Sequence, residues 1–231
     1  MRDKPNVLSK PVVRRTTLAV DVVLFSPRFN ALAVLLLRTP AGARERWALP
    51  WDAPLLGGEQ LEDAAARIVT GALGAPAAYL EQIGTFNDSR RHPGDAELSV
   101  GIAALCAANV GVPRDGEWHP LASLPPIAPR HRAVVDRAAA TIRLRVDQSP
   151  LAFRLLPPTF TLTDLQAVYE LLLGRRLHKA SFRRALQASY LVEPTDEWRS
   201  EGRGRPAQLF KYAPKKRRGS RRGVRFDLFT E

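Results

Sequence analysis

Near Pro150 the chain changes both its apolar rhythm and its charge, and one repeating architecture cannot accommodate both. Residues 1–150 carry 18 Lys or Arg against 15 Asp or Glu, whereas residues 151–231 carry 17 against 8. A nearly balanced first part beside a strongly basic last third points to one part for a small molecule and another for a polyanion. The 231 residues allow one large domain or two modest ones. At 45% hydrophobic and 25% charged, the composition is that of a globular protein, which excludes wholesale disorder. The single cysteine, Cys106, excludes an internal disulfide framework or a clustered cysteine metal site and fits a reducing compartment. No apolar run approaches the ~20 residues that span a bilayer, and MRDKPNVLSKPVVRR has no signal-type apolar segment behind it. A cytoplasmic protein without membrane contact is the expectation.

In residues 1–150, Thr17–Phe25 (TLAVDVVLF) and Ala31–Leu37 (ALAVLLL) read as a strand pair separated by the turn-rich Ser26–Asn30. Gln60–Leu73 is helical, with Leu61, Ala64, Ala65, Ile68 and Leu73 as its apolar stripe and Gly74 as its stop. Leu98–Ala107 is a further strand after the polar loop Asn87–Glu97, and a Pro-rich stretch leads into a helix over His131–Val146. Strands flanking a helix, then a second helix, predict an α/β domain.

After Leu156-Pro-Pro the pattern shifts. Thr161 is placed to cap a helix over Leu162–Leu173, which Gly174 closes, and a second helix follows over Ser181–Ser189. Leu191–Pro194 and Ala207–Tyr212 read as strands around the loop Trp198–Pro206. Helix, turn, helix and basic hairpin outline a winged helix-turn-helix over residues 151–213, with a mobile basic tail expected at 214–231. In the second helix Phe182, Ala185 and Leu186 recur at inward spacing, leaving Lys179, Ser181, Arg183, Arg184, Gln187 and Ser189 for phosphates and base edges. Arg199, Arg203 and Arg205 supply the wing, where Gly202 and Gly204 let the backbone come close to DNA. Two basic elements in this arrangement favour duplex DNA, and no paired aromatic platform for RNA stands out. The four histidines, His92, His119, His131 and His178, show no metal-ligand spacing and read as surface or packing residues, and Cys106 as a small buried side chain. No metal site is expected.

One stretch carries a more specific signal. WALPWD, then GGEQLEDAAARIVTGALG, resembles the Nudix signature: Glu59 and Arg67 keep its spacing, and Gly74 closes it. The resemblance implies metal-binding carboxylates after the Arg, on one helix face at i, i+3 and i+4, holding a divalent cation against pyrophosphate. Those positions are Ile68, Gly71 and Ala72 here, while Trp51 and Asp52 stand where the family has paired glycines. Catalysis by the usual route is therefore not expected. Glu59, Glu62 and Asp63 also fall at i, i+3 and i+4, but acids in a first helical turn are accounted for by the helix dipole.

The resemblance extends over nearly the whole chain. TLAVDVVLF, GTFNDSRRHP, WHPLASLPPIAPRH and LLPPTFTLTDLQAVYELLLG followed by KASFRRAL together resemble the Nudix-related transcriptional regulators of NAD metabolism, the NrtR type. This implies a Nudix-like α/β/α sandwich at 1–150 that senses ADP-ribose or a related nucleotide and dimerises. It also implies a C-terminal winged helix that binds operator DNA, and a homodimer acting as a repressor without a cofactor. Lys179, Ser181, Arg183, Arg184 and Gln187 match the family's recognition helix, with Arg203 and Arg205 in the wing. The effector pocket would draw on Trp47, Phe86, Asp88, Arg90 and Arg91, since guanidinium groups pair with phosphate and aromatic faces stack on adenine. Arg91-His92-Pro93-Gly94 departs from the family's Arg-Asp-Pro-Arg in that loop. Two other readings remain: a Nudix hydrolase acting on nucleoside diphosphate compounds through Glu59, Glu62 and Asp63, and a DNA-binding protein whose first domain serves only dimerisation.

Overall fold

The computed structural model describes residues 16–55, 57–200 and 206–214. Arg203 and Arg205, with Gly202 and Gly204, lie outside the described residues, as does the tail from residue 215.

The first part is built on a mixed seven-stranded sheet. Its strands are β1 (Leu18–Arg28), β2 (Ala31–Arg38), β3 (Trp47–Ala48), β4 (Trp51–Asp52), β5 (Tyr79–Phe86), β6 (Leu98–Leu105) and β7 (Gly116–Pro120). The order is β3-β2-β1-β6-β5, with β4 added to β1 and β7 to β2. β1 and β6 are parallel and the other pairs antiparallel. Central strands buried on both faces need continuous apolar runs, which TLAVDVVLF and ALAVLLL provide. The two faces separate by the alternation of side chains along a strand. Val20, Val22 and Leu24 of β1 pack with Ala64, Ala65, Ile68 and Val69 of α1 (Leu61–Leu73). Val23 and Phe25 pack with Val134, Val135, Ala138 and Ile142 of α2 (Pro129–Val146) on the other face. An α/β/α sandwich results.

Several boundaries differ from the sequence expectation: the second helix of the last third starts at Lys179 rather than Ser181, and the strand expected over 191–194 is Val192–Arg199. Two differences in the first part have local reasons. Strand β1 runs through Ser26-Pro27-Arg28, leaving only Phe29 and Asn30 as the turn. Proline is tolerated there because β1's pairing with β6 ends at Phe25, so Pro27 occupies a sheet edge. Helix α2 starts at Pro129 rather than His131, since proline at the first helical position lacks only an amide that would be unpaired anyway.

The apolar cluster on the α2 face continues into the last third through Leu151, Ala152, Phe153 and Leu155. Phe153 lies 5.8 Å from Phe160, 6.3 Å from Tyr169 and 4.6 Å from Tyr212, ring centre to ring centre. Around it stand β8 (Thr159–Phe160), α3 (Leu162–Leu173), α4 (Lys179–Ser189), β9 (Val192–Arg199) and β10 (Ala207–Tyr212). The strands form a small sheet ordered β8-β10-β9. Thr161 begins α3 with a capping box: its Oγ1 accepts from Asp164 N, and Asp164 accepts from Thr161 N. Gly174 ends it at a φ of 70°, the left-handed conformation that glycine adopts without strain. The architecture is α/β with a C-terminal winged helix-turn-helix. No helix among the described residues is long and apolar enough to cross a membrane.

Candidate functional site

At one end of the large sheet, four segments meet: β1, β4, the loop at 87–97 and the first turn of α2. Their meeting point is an acid inside an apolar strand. Asp21 is fully buried, and a buried carboxylate must find donors. His92 Nε2 lies 2.9 Å from Asp21 Oδ1, His131 Nε2 3.4 Å from the same oxygen, and the two Nε2 atoms 3.2 Å apart. The opposite ring nitrogens settle the proton positions. His92 Nδ1 accepts from the Gly94 amide at 3.0 Å, and His131 Nδ1 accepts from the Leu49 amide at 3.0 Å. Each imidazole therefore carries its proton on Nε2, and both donate to the carboxylate. Burial alone would raise the Asp21 pKa, but the two imidazole donors overcome it and hold the carboxyl well below its usual range. Burial lowers the pKa of His131, against the opposing pull of Asp21, so the ring stays neutral.

Among the described residues this is also the one trio of His, Cys or acidic side chains whose ligand atoms gather within 4.8 Å. A cation there would need the Nε2 lone pairs, forcing the protons onto Nδ1 atoms that already face backbone N–H groups. The trio is thus built as a hydrogen-bonded strut. Spacing along the chain predicts no such cluster. His92 and His131 are packing residues as expected, and the signal for their partner was the lone acid in TLAVDVVLF.

The strut fixes the loop that carries the expected effector residues. Arg130 reinforces it, donating to Ala96 O at 2.8 Å, Glu97 O at 3.1 Å and Asp88 O. Arg91 pairs with Glu45, and the exposed Arg90 pairs with Asp88. The Arg90 amide, foremost, and its guanidinium lower the Asp88 pKa. Trp47 is buried in the core, edge-on to His119 at 5.0 Å, with Arg38 and Arg46 over its ring. Phe86 is half-buried against the same core. The fold therefore places Asp88, Arg90 and Arg91 on one loop, with Trp47 two residues beyond Glu45. Trp47 and Phe86 hold mostly core positions, and sequence alone did not single out Glu45 or Arg130. Trp51 stands edge-on to His92 at 4.7 Å, and a Cβ on Gly94 would fall 2.1 Å from its ring. The departures from the family pattern at 51, 92 and 94 thus meet in one contact.

The residual Nudix box forms a second cluster. Arg67 binds Glu59 through two bonds, of 2.8 and 3.0 Å, Asp52 at 2.7 Å, and Ala53 O at 3.0 Å. Arg67, and then the Leu55 amide, lower the Glu59 pKa. Ile68 is buried against the sheet, Gly71 is exposed, and Ala72 is half-buried. Glu59, Glu62 and Asp63 do not converge, and Glu62 and Asp63 are exposed.

In the winged unit, Phe182 and Leu186 of α4 are buried and Ala185 half-buried, while Lys179, Arg183, Arg184 and Gln187 are exposed. Ser181 is half-buried beside His178, 3.3 Å from its Nδ1. Lys179, Arg183 and Arg184 have no ion pair among the described residues. Arg199 behaves differently from a wing arginine. It binds both carboxylate oxygens of Asp164, at 2.9 and 2.8 Å, fastening β9 to the start of α3.

The model of the NrtR DNA-binding winged helix domain matches residues 152–212. The ADPR responsive transcriptional repressor NtrR of Acinetobacter baylyi is 32% identical over 205 residues, covering 85% of this chain and 82% of that protein. The crystal structure of Shewanella oneidensis NrtR complexed with a 27mer DNA is 30% identical with a TM-score of 0.71, covering 85% of this chain and 94% of that one. A MutT/nudix family protein from Enterococcus faecalis, 20% identical with a TM-score of 0.67, shares the fold over 87% of this chain and 89% of its own. Sequence identity along most of both chains, joined to a sandwich followed by a winged helix, establishes that this chain belongs to the NrtR family.

Proposed function

We propose that the protein is a cytoplasmic DNA-binding transcriptional repressor of NAD biosynthesis or related genes, released by ADP-ribose or a related nucleotide. The observation that carries this is α4: a buried Phe182–Leu186 stripe beneath exposed Lys179, Arg183 and Arg184, which have no ion pair among the described residues, in a chain similar to one crystallised with a DNA 27mer. Lys179, Ser181, Arg183, Arg184 and Gln187 read the operator, with Arg203 and Arg205 alongside. Residues 151–213 form the DNA-binding unit and residues 1–150 the sensor, and the basic tail from 214 adds charge. The effector lies against Asp88, Arg90 and Arg91, with Trp47 and Phe86 behind them. Loop 87–97 and the first turn of α2 share the Asp21 strut, so an effector pressing on the loop acts on the helix leading to the winged unit. That release requires unequal effector affinity for two arrangements of the dimer.

A mobility shift on the upstream region of the gene tests the reading. Arg183→Ala and Arg184→Ala should each weaken binding by ~10-fold or more while leaving the fold intact. Unchanged binding in both would overturn it. The protein is not a hydrolase. Ile68, Gly71 and Ala72 occupy the metal-ligand positions, and Arg67 and the Leu55 amide engage Glu59. Incubation with Mg²⁺ and ADP-ribose should release no AMP.

A further inference from the structure

The turn between β1 and β2 consists of Phe29 and Asn30, both at a φ of 53°, with Arg28 and Ala31 paired across it. A two-residue hairpin of this kind needs left-handed backbone at both positions, which suits Asn and Gly and makes a bulky aromatic an outlier. Strained residues of this sort cluster where function uses them. Phe29 gains little shelter from the described residues, being 71% exposed, the highest value among the exposed large hydrophobic residues described.

Beside Phe29 opens a cleft of about 920 Å³, bounded by β2 and α2 on one side and α3 on the other. Asn30 and Ala31 form part of its wall, so the aromatic stands on the rim. Leu32, Leu121, Ala139 and Leu171 give the cleft an apolar lining. Its wall also carries charge: Arg132 pairs with Asp136 and Arg176 with Glu170, and Arg143 and Arg175 stand beside them. An aromatic knob and an apolar hole thus share one patch, and the knob stands outside its own hole. A two-fold axis beside such a patch fills both holes in one operation.

We propose that this face is the dimer interface, Phe29 of each protomer entering the cleft of the other. The proposal rests on the reading of the protein as a dimeric repressor and names the surface that reading leaves unspecified. The cleft lies between α2 of the sensor and α3 of the winged unit, so occupying it from the partner fixes how far apart the two copies of α4 stand.

Sedimentation velocity on the full chain tests this across a dilution series, with Phe29→Asn as the main variant. Asparagine suits left-handed backbone, so the hairpin should hold and thermal unfolding should show no loss of monomer stability. The wild-type chain should be a dimer, and Phe29→Asn should weaken dimerisation by ~100-fold or more, since one anchor is lost on each side of the axis. Ala122→Trp, which obstructs the exposed edge of the cleft from the other side, should do the same. A wild type that sediments as a monomer, or a Phe29→Asn variant with unchanged dimer dissociation, overturns the proposal. The first result would leave the cleft to a small ligand. Operator binding, measured in parallel, keeps the two readings apart. Loss of DNA binding in the wild type would end the repressor reading, whereas an unaltered dimer in Phe29→Asn ends only the assignment of the interface.

Discussion

Asp21 pairs with Trp51 in the sheet register, and its carboxylate receives His92 from the loop at 87–97 and His131 from α2. Asp21→Asn removes the charge that both imidazoles address and should cost about 2 kcal/mol in urea denaturation at neutral pH. The pH dependence has a fixed sign. Folding lowers the His131 pKa from its ordinary 6.5, so below that value the unfolded chain takes up a proton that the folded chain resists. Folding also lowers the Asp21 pKa from its ordinary 3.8, and the same loss recurs as the unfolded carboxyl protonates. Stability should therefore be greatest above pH 6.5 and fall as pH drops. The loss between pH 7 and 5.5 should shrink in His131→Gln, read from urea midpoints at both pH values. An equal loss in that variant would place the titrating group elsewhere.

Among the elements, α3 is the helix whose limits are most local in origin. Thr161, Asp164 and Gly174 define its ends through contacts within four residues, and its bounds match the sequence expectation. Thr161→Ala should cost about 1 kcal/mol, a melting-temperature decrease of ~3 °C in a chain of this size. Asp164→Ala should cost more, because it also releases Arg199 and with it the start of the wing. Strands β5 and β7 were illegible for the opposite reason. Tyr79–Phe86 and Gly116–Pro120 show no clean alternation of buried and exposed residues, and each is a strand only because a neighbour offers hydrogen bonds.

For the whole molecule, the charge division visible in the sequence becomes a division of labour, with most of the excess cation in the winged unit and tail. If a dimer neutralises six or more phosphates, operator affinity should fall by roughly 10³ between 50 and 200 mM salt. Fluorescence anisotropy on a labelled operator measures the slope, and a nearly flat dependence would contradict phosphate contact by α4. Arg183→Ala should reduce that slope by about one unit on the proposed phosphate contact, since its guanidinium has no ion pair among the described residues.

Helix α3 with its caps, the apolar central strands and the inward Phe182–Leu186 stripe were all readable from the amino-acid order. Each depends on neighbours a few residues away, where backbone period and side-chain chemistry act together. Tertiary structure alone decided that Asp21, His92 and His131 meet, that Trp51 lies against Gly94, and that Arg199 serves α3 as an anchor. Those contacts join residues up to 110 positions apart in the chain, and sheet order and helix packing, which no local pattern encodes, create them.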